Sequence, residues 1–373
     1  MLALPRSRSI NLTPRRPSVI SRRRTSTKMV SFVVGLRRFL GALALLLLAH
    51  GGAAAEQPTF VGRSGTKLVV NGSTFLFNGF NAYWLMNVAA QDQAKVTKTL
   101  SDAAAAGLTV CRTWAFSDGG NAALQSSPGV YNEQVFQVRP ASASFPYRNA
   151  VDLKSIRPRL FRRSTSSSRR PKITVSQAWV MEMAAHTKSI DSKHLLQVGF
   201  EGFYGSTTPD KIKLYNPGGY KYGTDFITSN QVNEIDFTTI HVYQDSWLPK
   251  KSDKERQTFL QQWISLHLND SVNVLGKPMV FTEFGKSKKT PGYSQKVRDD
   301  FLSYVYGLIY SDAKTGGGSH SGGLLWQIMG DGMESYYDGY EVVLSTDTTT
   351  TAVIKKQSEA MAALANKPAA SHD

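Results

Sequence analysis

Six short apolar runs, each closing on polar or aromatic side chains, restrict this chain to helices packed on a parallel sheet. The runs are Thr74 to Trp84, Leu108 to Trp114, His194 to Tyr204, Ile235 to Tyr243, the stretch opening at Met279, and Gly323 to Met329. Between the first two, Val96, Leu100, Ala103 and Ala104 share one helical face that Gly107 stops. Strand, helix, strand at this spacing is a βαβ unit. Further helices are predicted with faces of Trp179, Val180, Met183 and Ala184, then of Phe259, Trp263 and Leu266, then of Val297, Phe301, Tyr304 and Leu308. Ser252 with Glu255 reads as a capping box for the second of these, and a last helix is predicted near Thr351 to Ala365.

The run Pro278-Met-Val-Phe-Thr-Glu283-Phe-Gly285 carries the most chemistry. It is apolar, rich in strand formers, and ends on one carboxylate and a glycine, as a buried parallel strand does when it delivers an acid to the sheet's C-terminal edge. An acid there is often only a cap or a surface charge, so its company matters. His241 and Tyr243 end the preceding strand two residues apart and therefore share a face. A tyrosine hydroxyl can orient a carboxylate, and a histidine can hydrogen-bond a substrate. Trp84, Trp114 and Trp326 each end a strand and together suggest a rim on which sugar rings stack; core packing is the plainer reading of each alone. Arg112 on a strand needs a carboxylate or a ligand as partner.

The formal charge of +16 resides in two segments. Residues 1–40 hold ten Lys/Arg and no acid, and residues 138–172 hold ten against Asp152 alone, which leaves the rest near −3. A globular part without excess positive charge argues against nucleic acid. Residues 29–55 read as a secretory signal: Arg37 and Arg38, the apolar run Phe39 to Ala49, then Ala53 to Ala55 before Glu56. That run is too short for a stable membrane anchor. Residues 1–28 read as a disordered upstream extension, and residues 56–373 as the domain proper. Cys111 is the single cysteine, so no internal disulfide forms, and Asn71 and Asn269 begin glycosylation tripeptides. No Cys/His cluster has ligand spacing, so neither metal nor cofactor is expected. Residues 138–176 are Ser/Arg/Pro-rich and without period, a composition that cannot bury enough apolar surface to fold. They read as foreign sequence standing where structured units belong.

Six motifs, in order, resemble plant endo-β-1,4-mannanases, the mannan endo-1,4-β-mannosidases of glycoside hydrolase family 5, clan A. They are Phe77-Asn-Gly-Phe-Asn-Ala-Tyr-Trp84, Cys111-Arg-Thr-Trp-Ala-Phe116, Gly202-Phe-Tyr-Gly205, Thr239-Ile-His-Val-Tyr243, Phe281-Thr-Glu-Phe-Gly285 and Gly323-Leu-Leu-Trp326. The resemblance covers about 60–137 and 177–360. It implies a (β/α)8 TIM barrel and a secreted, monomeric enzyme of the cell wall that cleaves β-1,4-mannans, glucomannans and galactomannans with retention. Glu283 then matches the nucleophile, His241, Tyr243 and Arg112 match its neighbours, and Trp84 and Trp326 match substrate-contacting aromatics.

One departure is large. The family's fourth strand ends in Asn-Glu-Pro, whose Glu is the acid/base and whose Asn contacts the sugar. No Asn-Glu-Pro occurs in the 373 residues; Asn132-Glu133 and Asn233-Glu234 are the only Asn-Glu pairs, and neither ends an apolar strand. The third and fourth βα units should fall where residues 138–176 stand. The expectation is an incomplete barrel of about six strands with half of its catalytic pair and little or no turnover. Glu201, ending the third apolar run, is the one acid that could stand in for the missing partner. A non-catalytic mannan-binding protein using Trp84, Trp114 and Trp326, and a degenerate product that does not fold, are the alternatives.

Overall fold

The structure, a computed structural model, describes residues 60–114, 125–127, 130–131, 175–315 and 319–366. All lie in one compact unit, Pro58–Asp373. The expected leader over 1–55 and residues 138–174 of the expected insert fall outside the described residues.

The chain enters through a three-stranded antiparallel sheet, β1 (Gly62–Ser64), β2 (Lys67–Val70) and β3 (Ser73–Thr74). Asn71 and Gly72, both with positive φ, close the two-residue turn between β2 and β3. Five parallel strands follow: β4 (Phe77–Asn81), β5 (Val110–Arg112), β8 (Thr238–Val242), β9 (Met279–Phe284) and β10 (His320–Leu325); β6 (Gln125–Ser127) and β7 (Val130–Tyr131) form a separate antiparallel pair. The parallel sheet runs β5-β4-β10-β9-β8. Among the described residues it is open between β5 and β8. Residues of β4, β8, β9 and β10 are buried throughout, as expected where both faces of a parallel sheet are covered. β5, at the open edge, is only half-buried.

Five long helices accompany the sheet: α1 (Gln93–Ala105), α2 (Val175–Ile190), α3 (Asp253–Asn269), α4 (Gln295–Thr315) and α5 (Thr348–Ala365). The Asp92 side chain caps α1, which buries Val96, Leu100 and Ala103, and Gly107 leaves it at φ +74°. The Ser252–Glu255 capping box opens α3 as the sequence indicated. Two helical faces differ from expectation. In α4 the buried stripe is Arg298, Phe301, Leu302, Val305, Tyr306 and Ile309, and Val297 is exposed. Arg298 is drawn inward by Asp347 at 2.8 Å, an ion pair that a reading by hydrophobicity cannot anticipate. In α2 Val180 and Ala184 are buried but Trp179 is 46% exposed.

The predicted strand His194 to Tyr204 is absent, so among the described residues the sheet has five strands rather than six. The segment runs beside β8 and makes isolated contacts: Asp236 N–H donates to Leu196 O at 2.8 Å and His241 N–H to Glu201 O at 3.0 Å. Gly199 (φ +63°), between these contacts, and Gly202 (φ +107°), directly after them, interrupt the pleat. A Cβ on Gly202 would meet Ile240 at 3.0 Å and Trp263 at 3.2 Å, and at this φ any side chain would be strained as well as crowded against β8 and α3.

Candidate active site

The C-terminal ends of β4, β5, β8 and β9 converge on Glu283, which is 8% exposed. A register shift between Ile240 and His241 brings His241 opposite Glu283 across the β8–β9 ladder. On β5, Arg112 pairs in register with Asn81 of β4. Each carboxylate oxygen of Glu283 has its own donor: Arg112 Nη1 lies 2.6 Å from Oε1, and the Tyr243 hydroxyl 2.8 Å from Oε2. Arg112 is itself held, because Nη1 also donates to Asn81 Oδ1 at 2.9 Å and its guanidinium lies 4.5 Å over the Trp114 ring. Asn81 is fully buried and donates through Nδ2 to the carbonyls of Thr282, Leu324 and Leu325 at 2.9–3.3 Å. Its backbone and amide thus tie the arginine to the two central strands.

His241 stands 3.4 Å from Glu283 Oε2 through Nδ1. Burial, and then the positive charge of Arg112, push its imidazole down to about 3, so the ring is neutral and the contact is no ion pair. Its Nε2 is buried without a partner among the described residues, a polar atom left for a ligand to meet. Burial and the Glu283 carboxylate push the Tyr243 hydroxyl well above its ordinary range, which keeps it a donor. A cavity of about 450 Å³ opens in front of the carboxylate between Arg112, Trp114, Gln197, Gly199 and His241.

Of the three tryptophans expected on the rim, two are there. Trp326 and Trp114 approach edge to face at 5.5 Å, and Trp326 Nε1 donates to Asp338 at 2.7 Å. Trp84 is a correction: it is fully buried and its indole donates to Ile328 O at 2.8 Å. The chain turns from β4 into a short helix at residue 84, which sends that ring into the core and leaves Tyr83 outside. Tyr83 stacks on Trp326 at 5.9 Å and 11°. Asn81, Tyr83, Asp338 and Tyr340, whose ring meets that of Tyr243 edge to face at 5.2 Å, were not nominated from the sequence. Asn81 and Tyr83 stand within a motif already singled out; Asp338 and Tyr340 come from a loop without any local signal.

Glu201 is a further acid whose carboxyl feels the charge of Glu283. Burial and then the charge of Glu283 raise its carboxyl, while a hydrogen bond from Trp247 opposes them. Among the described residues no group of three or more His, Cys, Asp or Glu could hold a metal ion, and no helix is long and apolar enough to cross a membrane.

A family model described as GH family 5 beta-mannosidase-like matches residues 158–366. Mannan endo-1,4-beta-mannosidase 5 of Solanum lycopersicum is 41% identical, the match covering 84% of this chain and 91% of that protein. Mannan endo-1,4-beta-mannosidase 1 of Oryza sativa subsp. japonica is 39% identical over 86% of this chain and 93% of its own length. The chain belongs to the plant mannan endo-1,4-β-mannosidases of glycoside hydrolase family 5. Solved structures agree in fold. The endo-1,4-beta-mannanase of Rhizomucor miehei superposes with a TM-score of 0.57 at 21% identity, covering 82% of this chain and 99% of that one. The family 5 mannosidase of the same organism gives 0.61 at 16% identity over 83% and 98%. The five-stranded open sheet is therefore an incomplete barrel of the glycosidase type. The family model begins at residue 158, inside the Arg/Ser/Pro-rich segment, and so does not reach Arg112 or Trp114.

Proposed function

We propose that this chain acts on β-1,4-linked mannans, with Glu283 as the nucleophile of a retaining double displacement and with slight turnover of natural polysaccharide. The observation that carries the reading is the clamp on Glu283: one donor on each oxygen, from Arg112 and Tyr243, beside a neutral His241 and an open cavity. A carboxylate fixed in this way is aimed rather than merely present, which is what attack at an anomeric carbon demands. Arg112, Tyr243 and Asn81 act by positioning. His241 Nε2 is suited to a sugar hydroxyl, and Trp326 with Tyr83 and Trp114 offers apolar ring faces for pyranose stacking.

Retaining glycosidases use two carboxyl groups about 5–5.5 Å apart, one attacking and one protonating the leaving oxygen. The absence of Asn-Glu-Pro supports the loss of the second. The tomato match runs over 381 residues yet takes in only 84% of this 373-residue chain, so the relative carries internal sequence without a counterpart here. General acid/base assistance is worth about 10²–10⁴-fold, so its loss falls on substrates with poor leaving groups. Mannan binding without hydrolysis is the second reading, favoured by that same missing motif. The signal-like residues 29–55 support secretion to the cell wall, and we take the chain to act there as a monomer without nucleic acid or a membrane anchor.

A substrate that needs no acid separates these readings. With 2,4-dinitrophenyl β-mannoside, the folded protein should release a burst of phenolate as Glu283 is mannosylated, and Glu283→Ala should show none. Mannan affinity without any burst would leave only the binding reading.

A further inference from the structure

Three buried or half-buried acids lie on the loop that follows β10: Asp338, Glu341 and Asp347. Two of them tie the loop to its neighbours. Glu341 pairs with Lys288 at 3.1 Å and accepts from Gly339 N–H at 2.7 Å. Asp347 pairs with Arg298 at 2.8 Å and accepts from Val343 N–H at 3.0 Å. Asp338 has no cation partner among the described residues. Its bonds go to the site instead: Oδ2 accepts from Trp326 Nε1 at 2.7 Å and from Gln327 Nε2 at 3.1 Å, and Oδ1 from Tyr340 N–H at 2.9 Å.

The bond from Trp326 to Asp338 does two things. It fixes the indole, which Tyr83 already braces in parallel at 5.9 Å and Trp114 edge to face at 5.5 Å. It also sets an uncompensated negative charge on the N–H edge of a ring whose own backbone N–H donates to Phe284 O, next to Glu283, at 2.8 Å. A carboxylate acceptor makes that hydrogen bond a strong one and adds electron density to the ring, whose face is the side that attracts cations. The same charge is felt around the site. Behind burial, Asp338 raises the Tyr83 hydroxyl, and behind burial and Glu283 it raises that of Tyr243. Glycoside cleavage passes through an oxocarbenium-like, positively charged transition state, whereas the bound sugar is neutral. Negative charge delivered through a stacking ring therefore favours the transition state over the ground state.

We infer that Asp338 is a positioning residue for the reaction at Glu283: acting through Trp326, it holds the stacking ring in place and lends it negative charge that speeds formation of the cationic transition state. The inference rests on the mannan reading above, and adds to it a carboxylate that serves the reaction without touching the sugar.

The concentration dependence of the 2,4-dinitrophenyl β-mannoside burst tests it on the full chain. In that step a Glu283 oxygen bonds the anomeric carbon, the bond to the glycosidic oxygen breaks, and dinitrophenolate leaves with the electron pair. Asp338→Asn keeps an acceptor for the indole and removes the charge. Its saturating burst rate should fall about tenfold while the half-saturating concentration moves less than about twofold, the pattern of an interaction made in the transition state. Asp338→Ala loses acceptor and charge together, so its rate should fall further and its half-saturating concentration rise. Trp326→Phe keeps a ring without the N–H, and in that background Asp338→Asn should change the rate by less than about twofold. An Asp338→Asn protein with a native circular dichroism spectrum and a wild-type burst rate overturns the inference and spares the mannan reading. Losses that multiply in the Trp326→Phe, Asp338→Asn double variant would show that Asp338 does not act through the indole, and overturn it equally. A wild type without any burst removes the nucleophile reading and this inference with it.

Discussion

Two stretches of this chain end alike in sequence and differently in space. β9 closes on Thr282-Glu283-Phe284, and the run from His194 closes on Phe200-Glu201-Gly202. β9 has a ladder on each side, to β8 and to β10, and all six of its residues are buried. Among the described residues the second run has β8 on one side only, and instead of a ladder it makes scattered hydrogen bonds with two glycines at positive φ among them. The consequence reaches the two acids. Glu283 receives a donor on each oxygen, whereas Glu201 sits in a half-buried segment with Trp247 as its hydrogen-bonding partner. Local apolar pattern proposes a strand; neighbours on both sides make it one. β9 has both; among the described residues the run beside β8 has one.

The strongest way to break the contrast is to unmake the clamp on Glu283 while leaving β9 in place. Arg112→Ala removes the 2.6 Å donor to Oε1, and with it the ring contact to Trp114. The expected loss is about 10²-fold in the rate of the dinitrophenolate burst, the scale that misaimed reacting groups produce. A rate within threefold of wild type would mean that Tyr243 alone aims the carboxylate. Arg112 is only partly buried, so the variant should fold, and its circular dichroism spectrum checks that.

The difference between the two regions also explains which parts of the molecule could be read from residues alone. Glu283, His241 and Arg112 stand on strands and Tyr243 directly after one; period two put His241 and Tyr243 on one face, while the family resemblance, not the local pattern, joined them and Arg112 to Glu283. The α3 cap was legible because its signal is contained within four residues. Trp84 was misplaced by one position because a helix starts there, and a turn of the chain reverses which of two adjacent rings faces the core. The face of α4 was misread because Asp347, distant in sequence, draws Arg298 inward. The five-strand sheet itself depends on what lies beside each strand, which no local pattern contains.

His241 lies between the two regions and offers a milder probe. Its backbone N–H donates to Glu201 O, and its ring faces Glu283. Burial and Arg112 hold the folded-state imidazole at about 3, below its ordinary 6.5. In the unfolded chain the proton is taken up near pH 6.5; in the folded chain, not until about pH 3. The stability tied to the neutral ring is therefore full above 6.5 and drains as pH falls from 6.5 toward 3, with a limiting slope of about 1.4 kcal/mol per pH unit. Denaturant titrations at pH 6.5, 5.5 and 4.5 should show stability falling with acid, and His241→Gln should flatten that fall. An unchanged slope in the variant would place the acid sensitivity elsewhere.

The smallest effect is the one that sharpens the comparison most. If Glu201 is a bystander near the nucleophile, Glu201→Gln removes a neighbouring negative charge, and the dinitrophenyl burst should change by less than about threefold. That leaving group needs no proton. The same variant should be compared on mannohexaose, where departure of a sugar alkoxide does need one. Raised by burial and by the Glu283 charge, Glu201 is better disposed to hold a proton than an exposed glutamate would be. Its segment, however, lacks the two-sided ladder that fixes Glu283. We expect hexaose hydrolysis to be slow in the wild type and equally slow in Glu201→Gln. A hundredfold loss on the hexaose, with the burst preserved, would make Glu201 the second carboxyl group and show that an irregular edge segment can position an acid as a flanked strand does.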